Sequence, residues 1–371
     1  MAQGKKIKVF HVLTDRNIGG AGRWLLNYLR YYDRGRFEVS VVLPADSLLC
    51  EAVRELGVPV LAMPEMEDKS YDPKAVRPLT AVFRKEKPDI VHTHASMTAR
   101  MAAKRAGVPK IFCTKHCMEG TPGAFPKRLV RRAVNRRFSD TIIAVSKAVR
   151  RSMIEGGTSP RQIVTVPNGI EDIPILTAAE RTETLAAFGG KPGEYAVGMA
   201  ARLEEVKGHG TLLRAAAQVL EKRQDVRFYI IGTGSLREEL EKQAAELGIA
   251  GQVAFTGFLR DVERMEAALD IAVITSRQEA LCLSIIESMW AGVPAVGTDS
   301  GGVSEVIRQG ETGYLVPVGD SGALAERLLE LLADDAKRRE MGSAAREYVR
   351  KHFAADKMTK RIEKLYTEEQ T

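Results

Sequence analysis

The chain has 371 residues, 44% hydrophobic and 28% charged, more than one domain usually spans and enough to bury two sizeable cores. Lys and Arg number 55 against 48 Asp and Glu, a net charge of +7 that suits an anionic partner. Nucleic acid fits poorly, because no recognition motif is present and the basic run "PKRLVRRAVNRRF" has no interleaved aromatics to stack on bases. The opening "MAQGKKIKVFHVLTD" reads as a strand, not as a signal peptide or anchor. No apolar run approaches the roughly 18 residues of a spanning helix, so the expectation is a cytoplasmic protein, at most peripheral at the inner face of a membrane.

In chain order, "IKVFHVL", "FEVSVVLP", "PDIVHTH", "KIFCTK", "DTIIAVS" and "QIVTVPNG" read as strands, with amphipathic helices between them such as "GRWLLNYLRYY". Apolar strands alternating with helices predict a doubly wound parallel sheet over about 1–175. After the linker-like "VPNGIEDIPILTAAERTETLAAFGGKPGE" the alternation restarts with "YAVGMAA", "RFYIIG", "QVAFTGF", "DIAVITS", "PAVGTD" and "TGYLVPV". That predicts a second doubly wound domain over 176–354. Two such domains are expected to face a central cleft at the carboxyl ends of their strands.

Glycine-rich turns lie where strands hand over to helices. "TDRNIGGAGRW" places Gly19, Gly20 and Gly22 where backbone amides could approach a phosphate, although a plain tight turn explains them equally. A dinucleotide fingerprint is incomplete here, since Leu25 takes the third glycine position and Asp46 lies beyond its strand, after Pro44. Gly232 and Gly234 in "IIGTGSLREEL" repeat the theme in the second half. Arg202 and Lys207, just after a strand in "ARLEEVKGHG", are either solvated loop cations or the two fixed charges that a diphosphate requires. The four cysteines are scattered, and Cys113, His116 and Cys117 fall short of the four ligands of a structural metal site.

The run "SRQEALCLSIIESMWAGVPAVGTDSGG" carries Glu279 and Glu287 in a segment otherwise written like a protein interior. Ser284 and Glu287 have capping-box spacing, which offers a purely local role for Glu287 and none for Glu279. The amides near Leu283, Ser284 and Ile285 would form an anion site at a helix N-terminus between the two glutamates. A sugar nucleotide, with hydroxyls on both sides of a diphosphate, has the matching layout.

Taken in order, "RLEEVKG", "IIGTGSLREEL", "FTGF", "EALCLSIIE" and "AGVPAVGTDSGG" resemble the donor-binding half of the family 4 retaining glycosyltransferases, which have the GT-B fold. The first half is similar through "GGAGR", "HTH", "TKH", "VSKAV" and "VPNGI". The resemblance implies transfer of a glycosyl group from a nucleoside diphosphate sugar to an acceptor hydroxyl, with a uridine rather than a guanosine nucleotide and no cofactor expected. No metal is expected because no Asp-x-Asp stands at a strand end, while Arg202, Lys207 and helix amides offer positive charge to the diphosphate. It implies that Arg202 and Lys207 hold the diphosphate, Glu287 the ribose and Glu279 the donor sugar. Gly20 would approach the donor from the opposite domain, and His116 would line the donor sugar. Where many relatives carry Gly-Phe-Gly after the first glutamate, this chain has Ala280, Leu281 and Cys282.

The residues leave two other readings open. A sugar-nucleotide epimerase on the same architecture would need an acid and base carboxylate pair beyond those assigned to binding, and a non-catalytic nucleotide-sugar binder would favour loss of residues that are all present. The expected acceptor is a small or lipid-linked glycan. The stripe of Phe125, Leu129, Val130, Ala133, Val134 and Phe138, opposite Lys127, Arg128, Arg131, Arg132 and Arg136, reads either as a solvated basic helix packed on its own domain or as a weak contact with anionic membrane through 125–138. His92 and His94, on one strand face, are expected to be structural, and the C-terminal helix at 355–371 is expected to pack back on the first domain.

Overall fold

A computed structural model describes residues 5–64, 66–120 and 125–368. The first unit comprises residues 1–171 and 354–371, and the second comprises 172–353. Each is built on one parallel sheet.

In the first unit the strands are β1 (Ile7–Val12), β2 (Phe37–Pro44), β3 (Val60–Met63), β4 (Ile90–His94), β5 (Lys110–Lys115), β6 (Thr141–Ala144) and β7 (Ile163–Thr165), ordered β3-β2-β1-β4-β5-β6-β7. The edge strand β3 is the one the residue pattern does not announce, because it has four residues and begins directly after Pro59. Side-chain alternation divides β1 between two cores. Val9 packs with Trp24, Leu25, Tyr28 and Phe112 on one face, while Phe10 and Val12 pack with Val76, Leu79 and Phe83 on the other. Three buried residues of the helix Ala355–Thr367, namely Met358, Ile362 and Tyr366, belong to the first of these cores. The bridge between Ile170 and Ala354 and the bond from the Ala355 amide to the Ile170 carbonyl, 2.9 Å, tie that helix to the end of the first unit.

The second unit contains β8 (Tyr195–Ala200), β9 (Val226–Ile231), β10 (Val253–Gly257), β11 (Ile271–Ile274), β12 (Ala295–Thr298) and β13 (Gly313–Val316), ordered β10-β9-β8-β11-β12-β13. Both sheets reverse their winding in the middle, between β1 and β4 in one and between β8 and β11 in the other. The carboxyl edge at such a reversal is where helices diverge and leave room for a ligand. Among the described residues no helix is long and apolar enough to cross a membrane.

Candidate functional site

The second unit's reversal point is lined by the loops that follow β8 and β11. After β8 the chain runs through Arg202 into a short 3-10 turn, Glu205–Lys207, and then into the helix His209–Leu220. Gly208 joins the two at φ 70, and an added Cβ there would lie 2.4 Å from the Thr275 carbonyl oxygen. Thr275 in turn donates from Oγ1 to the Lys207 and Gly208 carbonyls at 3.1 and 3.0 Å. These bonds fasten the lysine turn to the end of β11. The lysine Nζ then meets Glu279 Oε2 at 2.6 Å, with both side chains mostly buried. Ser276 Oγ donates to the same carboxylate oxygen at 3.1 Å.

The glutamate loop is held from its other side by the end of β12 and the turn after it, where the Thr298 and Ser300 hydroxyls each donate to the Ser276 carbonyl at 2.7 Å. The Gly302 amide donates to the Glu279 carbonyl at 2.8 Å. Added Cβ atoms at Gly301 and Gly302 would lie 2.1 Å from the carbonyl oxygens of Glu279 and Ala280, so no other residue fits without moving the loop. Ser276, Gly208, Gly301 and Gly302 therefore position the two charged groups. Only Gly208, within the lysine motif, and the glycine pair ending "TDSGG" carried a visible sequence signal.

Arg202 is exposed; its carbonyl accepts from the Glu204 amide at 2.8 Å, while its guanidinium makes no hydrogen bond or ion pair among the described residues. Its loop is zipped to the glycine-rich turn after β9 by Leu203 N to Thr233 O at 2.9 Å and Leu236 N to Leu203 O at 3.0 Å. Gly232, at φ +129, and Gly234 face the carbonyls of Ala201 and Leu203, each 2.3 Å from an added Cβ. The fold itself thus requires these two glycines.

The helix Leu283–Trp290 starts one residue before Ser284. Its N-cap is Cys282, and no side-chain hydrogen bond caps it. Ser284 lies inside the first turn, so the reciprocal Ser284–Glu287 cap does not form. Glu287 sits one turn in, 4% exposed. The first-turn amides of Leu283, Ser284 and Ile285 carry the positive end of the helix dipole, close to the Lys207–Glu279 pair, whose charges both act on the N-cap Cys282. Burial pushes the Cys282 thiol up to about 12, with the Glu279 charge adding to the effect, so it stays protonated and is no nucleophile.

In the first unit, Gly19 and Gly20 follow β1, where Gly19 caps the helix Gly20–Tyr31. Among the described residues, nothing lies within 4 Å of a Cβ placed on Gly19. Gly22 differs, since its Cβ would meet Leu49 at 3.0 Å, so this glycine serves helix packing. Asp46 pairs with Arg16 at 3.0 Å on the surface, which gives it a local partner.

His116 follows β5 and its Nε2 meets Nδ1 of His94 at 2.9 Å. Beyond it runs a line of groups that the sequence did not connect. His94 Nε2 meets His11 Nδ1 at 3.3 Å, His11 Nε2 meets the Tyr366 hydroxyl at 3.4 Å, and that hydroxyl meets His92 Nδ1 at 2.5 Å. His92 Nε2 ends the line on Thr114 Oγ1 at 2.7 Å. Burial lowers His11 and His116 to about 3, and it lowers His92 and His94 well below the ordinary range with help from the neighbouring rings. All four are neutral at physiological pH.

Residues 18–172 match the family model described as Glycosyltransferase Family 4, and residues 180–348 match that of Glycosyl transferases group 1. The chain belongs to the family 4 glycosyltransferases. This glycosyltransferase is 28% identical over 307 residues to the N-acetyl-alpha-D-glucosaminyl L-malate synthase of Bacillus anthracis, covering 80% of this chain and 79% of that protein. It is 25% identical to the UDP-Gal:alpha-D-GlcNAc-diphosphoundecaprenol alpha-1,3-galactosyltransferase of Escherichia coli, with 97% of each chain covered. Among solved structures, Anabaena HepE in complex with UDP and glucose superposes with a TM-score of 0.85 at 23% identity, covering 98% of this chain and all (100%) of the other. Sucrose-phosphate synthase from Thermosynechococcus elongatus gives 0.81 at 19% identity, over 97% and 98% of the two chains. The fold of this glycosyltransferase is GT-B, and its reaction moves a sugar from a nucleotide donor to an acceptor.

Proposed function

We propose that the enzyme transfers a sugar from a UDP-sugar to an acceptor hydroxyl with retention of configuration and without a metal ion. The Lys207–Glu279 pair at the carboxyl edge of β8 and β11, beside a helix whose N-cap supplies no side-chain oxygen, is the observation that carries this reading. Lys207, exposed Arg202 and the first-turn amides of Leu283, Ser284 and Ile285 would take up negative charge as the bond from the anomeric carbon to the diphosphate oxygen breaks. The acceptor oxygen would bond to the same face of that carbon, its proton passing to the departing phosphate. Glu279 would hold hydroxyls of the donor sugar and Glu287 the ribose. Gly19 and Gly20 would present bare backbone to the donor, which the open space at Gly19 supports. A uridine nucleotide is favoured because the Escherichia coli relative is named for a UDP-galactose donor and the Anabaena structure holds UDP.

The acceptor in this reading is lipid-linked and is met at an anionic membrane surface. The helix Phe125–Phe138 supports it, since Phe125, Leu129 and Val130 are 72%, 51% and 62% exposed and only Asn135 is buried. Asn135 anchors the helix by accepting from Arg100 at 3.0 Å and donating to Thr158 at 2.9 Å. Arg131 is bonded to Glu119, which leaves Lys127, Arg128, Arg132, Arg136 and Arg137 as the exposed cations of this helix.

Release of UDP from UDP-glucose, UDP-galactose and UDP-N-acetylglucosamine, with GDP-mannose as control, tests the donor, and the anomeric proton coupling of the product tests retention. Turnover of one UDP-sugar undiminished by chelator is expected. Activity lost with chelator and restored by magnesium or manganese overturns the charge assignment. Vesicle sedimentation that is indifferent to neutralising Arg128, Arg132 and Arg136 together overturns the membrane reading.

A further inference from the structure

Four imidazoles and a phenol in one hydrogen-bonded line must agree on a direction, because each neutral ring has one N–H and one bare nitrogen. Tyr366 has a single proton to give; its hydroxyl meets His92 Nδ1 at 2.5 Å and His11 Nε2 at 3.4 Å, and the Tyr28 hydroxyl, itself able to donate to the phenol oxygen, is a further neighbour. A phenol, with an ordinary pKa of about 10, is a far better acid than the N–H of a neutral imidazole. The short contact is therefore the one in which the phenol donates. His92, accepting at Nδ1, carries its proton on Nε2 and donates to Thr114 Oγ1 at 2.7 Å. The phenol oxygen is left to accept from His11 Nε2–H. His11 then accepts at Nδ1 from His94 Nε2–H, and His94 accepts at Nδ1 from His116 Nε2–H. At the far end, His116 Nδ1 holds a lone pair, and that atom is buried without a partner among the described residues.

We propose that Tyr366, on the C-terminal helix, is a positioning residue that fixes the tautomers of His92, His11, His94 and His116, so that His116 offers Nδ1 as a hydrogen-bond acceptor for a hydroxyl. This rests on the reading of His116 as a donor-side residue for its consequence in catalysis, though not for the tautomers themselves. An acceptor nitrogen selects a sugar hydroxyl and is repelled by a phosphate oxygen. With the line reversed, His116 would donate from Nδ1–H and the selection would invert. Two rings along the way, His11 and His94, pack at 5.9 and 4.8 Å from the Trp24 ring, which holds them in line.

The test is nitrogen NMR on histidine-labelled full-length protein, where six histidines make assignment tractable. Expected for the unaltered protein is a pyrrole-like Nε2 and a pyridine-like Nδ1 on His116. The opposite assignment overturns the proposal, and this measurement needs no variant. In Tyr366→Phe, which keeps the ring and removes the proton, a mixture of both His116 tautomers is expected. If half the molecules hold the wrong one, kcat/KM falls about twofold, and up to about tenfold if most do. Unchanged His116 tautomers in a folded Tyr366→Phe protein overturn the role of the tyrosine. UDP and the intact UDP-sugar are then titrated separately. If the tautomers are as stated and only the intact donor shifts His116 Nδ1, both readings stand. If the tautomers are as stated but neither ligand shifts it, the donor-side reading of His116 fails while the directing role of Tyr366 survives.

Discussion

The two units hold their polar centres by opposite means. In the second, the Lys207–Glu279 pair is positioned by loop backbones pressed so closely together that Gly208, Gly232, Gly234, Gly301 and Gly302 have no room for a side chain. In the first, His11, His92, His94 and His116 are positioned by one another and by Tyr366, while Gly19 at the neighbouring loop has open space around it. Backbone packing makes a site rigid and intolerant of substitution. A line of side chains makes it directional and sensitive to protons.

The largest effect that would break this contrast is Gly302→Ala, which should cost more than about 3 kcal/mol through overpacking against a carbonyl that cannot yield. The chain's two tryptophans report it separately, since Trp24 lies in the first unit and Trp290 in the second. Loss of the Trp290 transition with that of Trp24 retained is expected in thermal melts, and an unshifted melt would remove the claim of backbone locking.

Acidification should act on the other unit. His11 and His116 fall from 6.5 to about 3 on folding, so between these values the unfolded chain binds more protons than the folded one. Stability is fully present above the upper value and is lost as pH falls through the window, by about 2 kcal/mol per ring at pH 5. The second unit has one comparable ring, His209, lowered to about 4 by burial and by Lys207. Melts followed through Trp24 should therefore weaken more between pH 7 and pH 5 than melts followed through Trp290. Equal slopes would mean that the histidines are not closed off from water.

Ligand binding sharpens the comparison within the second unit. Glu287→Gln should weaken free UDP and the intact donor alike, by about tenfold to a hundredfold, the value of a hydrogen bond to a charged group. Glu279→Gln should weaken the intact donor by a similar factor while UDP binds at least as well, because Lys207 is released from its partner. Calorimetry on both variants decides it. If Glu279→Gln weakens UDP as much as the donor, the orientation of the ligand is reversed. The smallest effect is expected at Gly19, where substitution by Ser should change stability by less than about 0.5 kcal/mol yet lower donor affinity. A large stability loss there would erase the difference between the two kinds of glycine.

How far the sequence could be read follows the same division. Second-unit residues sit in short motifs of contiguous chain, so "RLEEVKG" and "EALCLSIIE" announced Arg202, Lys207, Glu279 and Glu287, and the alternation of strands announced the sheet. The ion pair did not show, because Lys207 and Glu279 are 72 positions apart and meet only when β8 and β11 pair. The first unit's line needs the register of three strands and a helix from the far end of the chain. His11 and Tyr366 are 355 positions apart and neither stands in a recognisable pattern. The helix at Leu283 began earlier than the Ser284–Glu287 spacing suggested, since a cap is set by backbone geometry at Cys282 rather than by the nearest good capping residue.

The return of the helix Ala355–Thr367 to the first unit also sets an order of events at the ribosome. The face of the first sheet formed by Val9, Phe37 and Phe112 is covered in part by Trp24, Leu25 and Tyr28 and is completed only when Met358, Ile362 and Tyr366 arrive, which are translated after the whole of the second unit. At roughly 5–20 residues per second, the half that is made first waits on the order of ten seconds or more with part of its core open. The half that is made second has every residue it needs before the first does, so the nascent chain completes its domains in reverse.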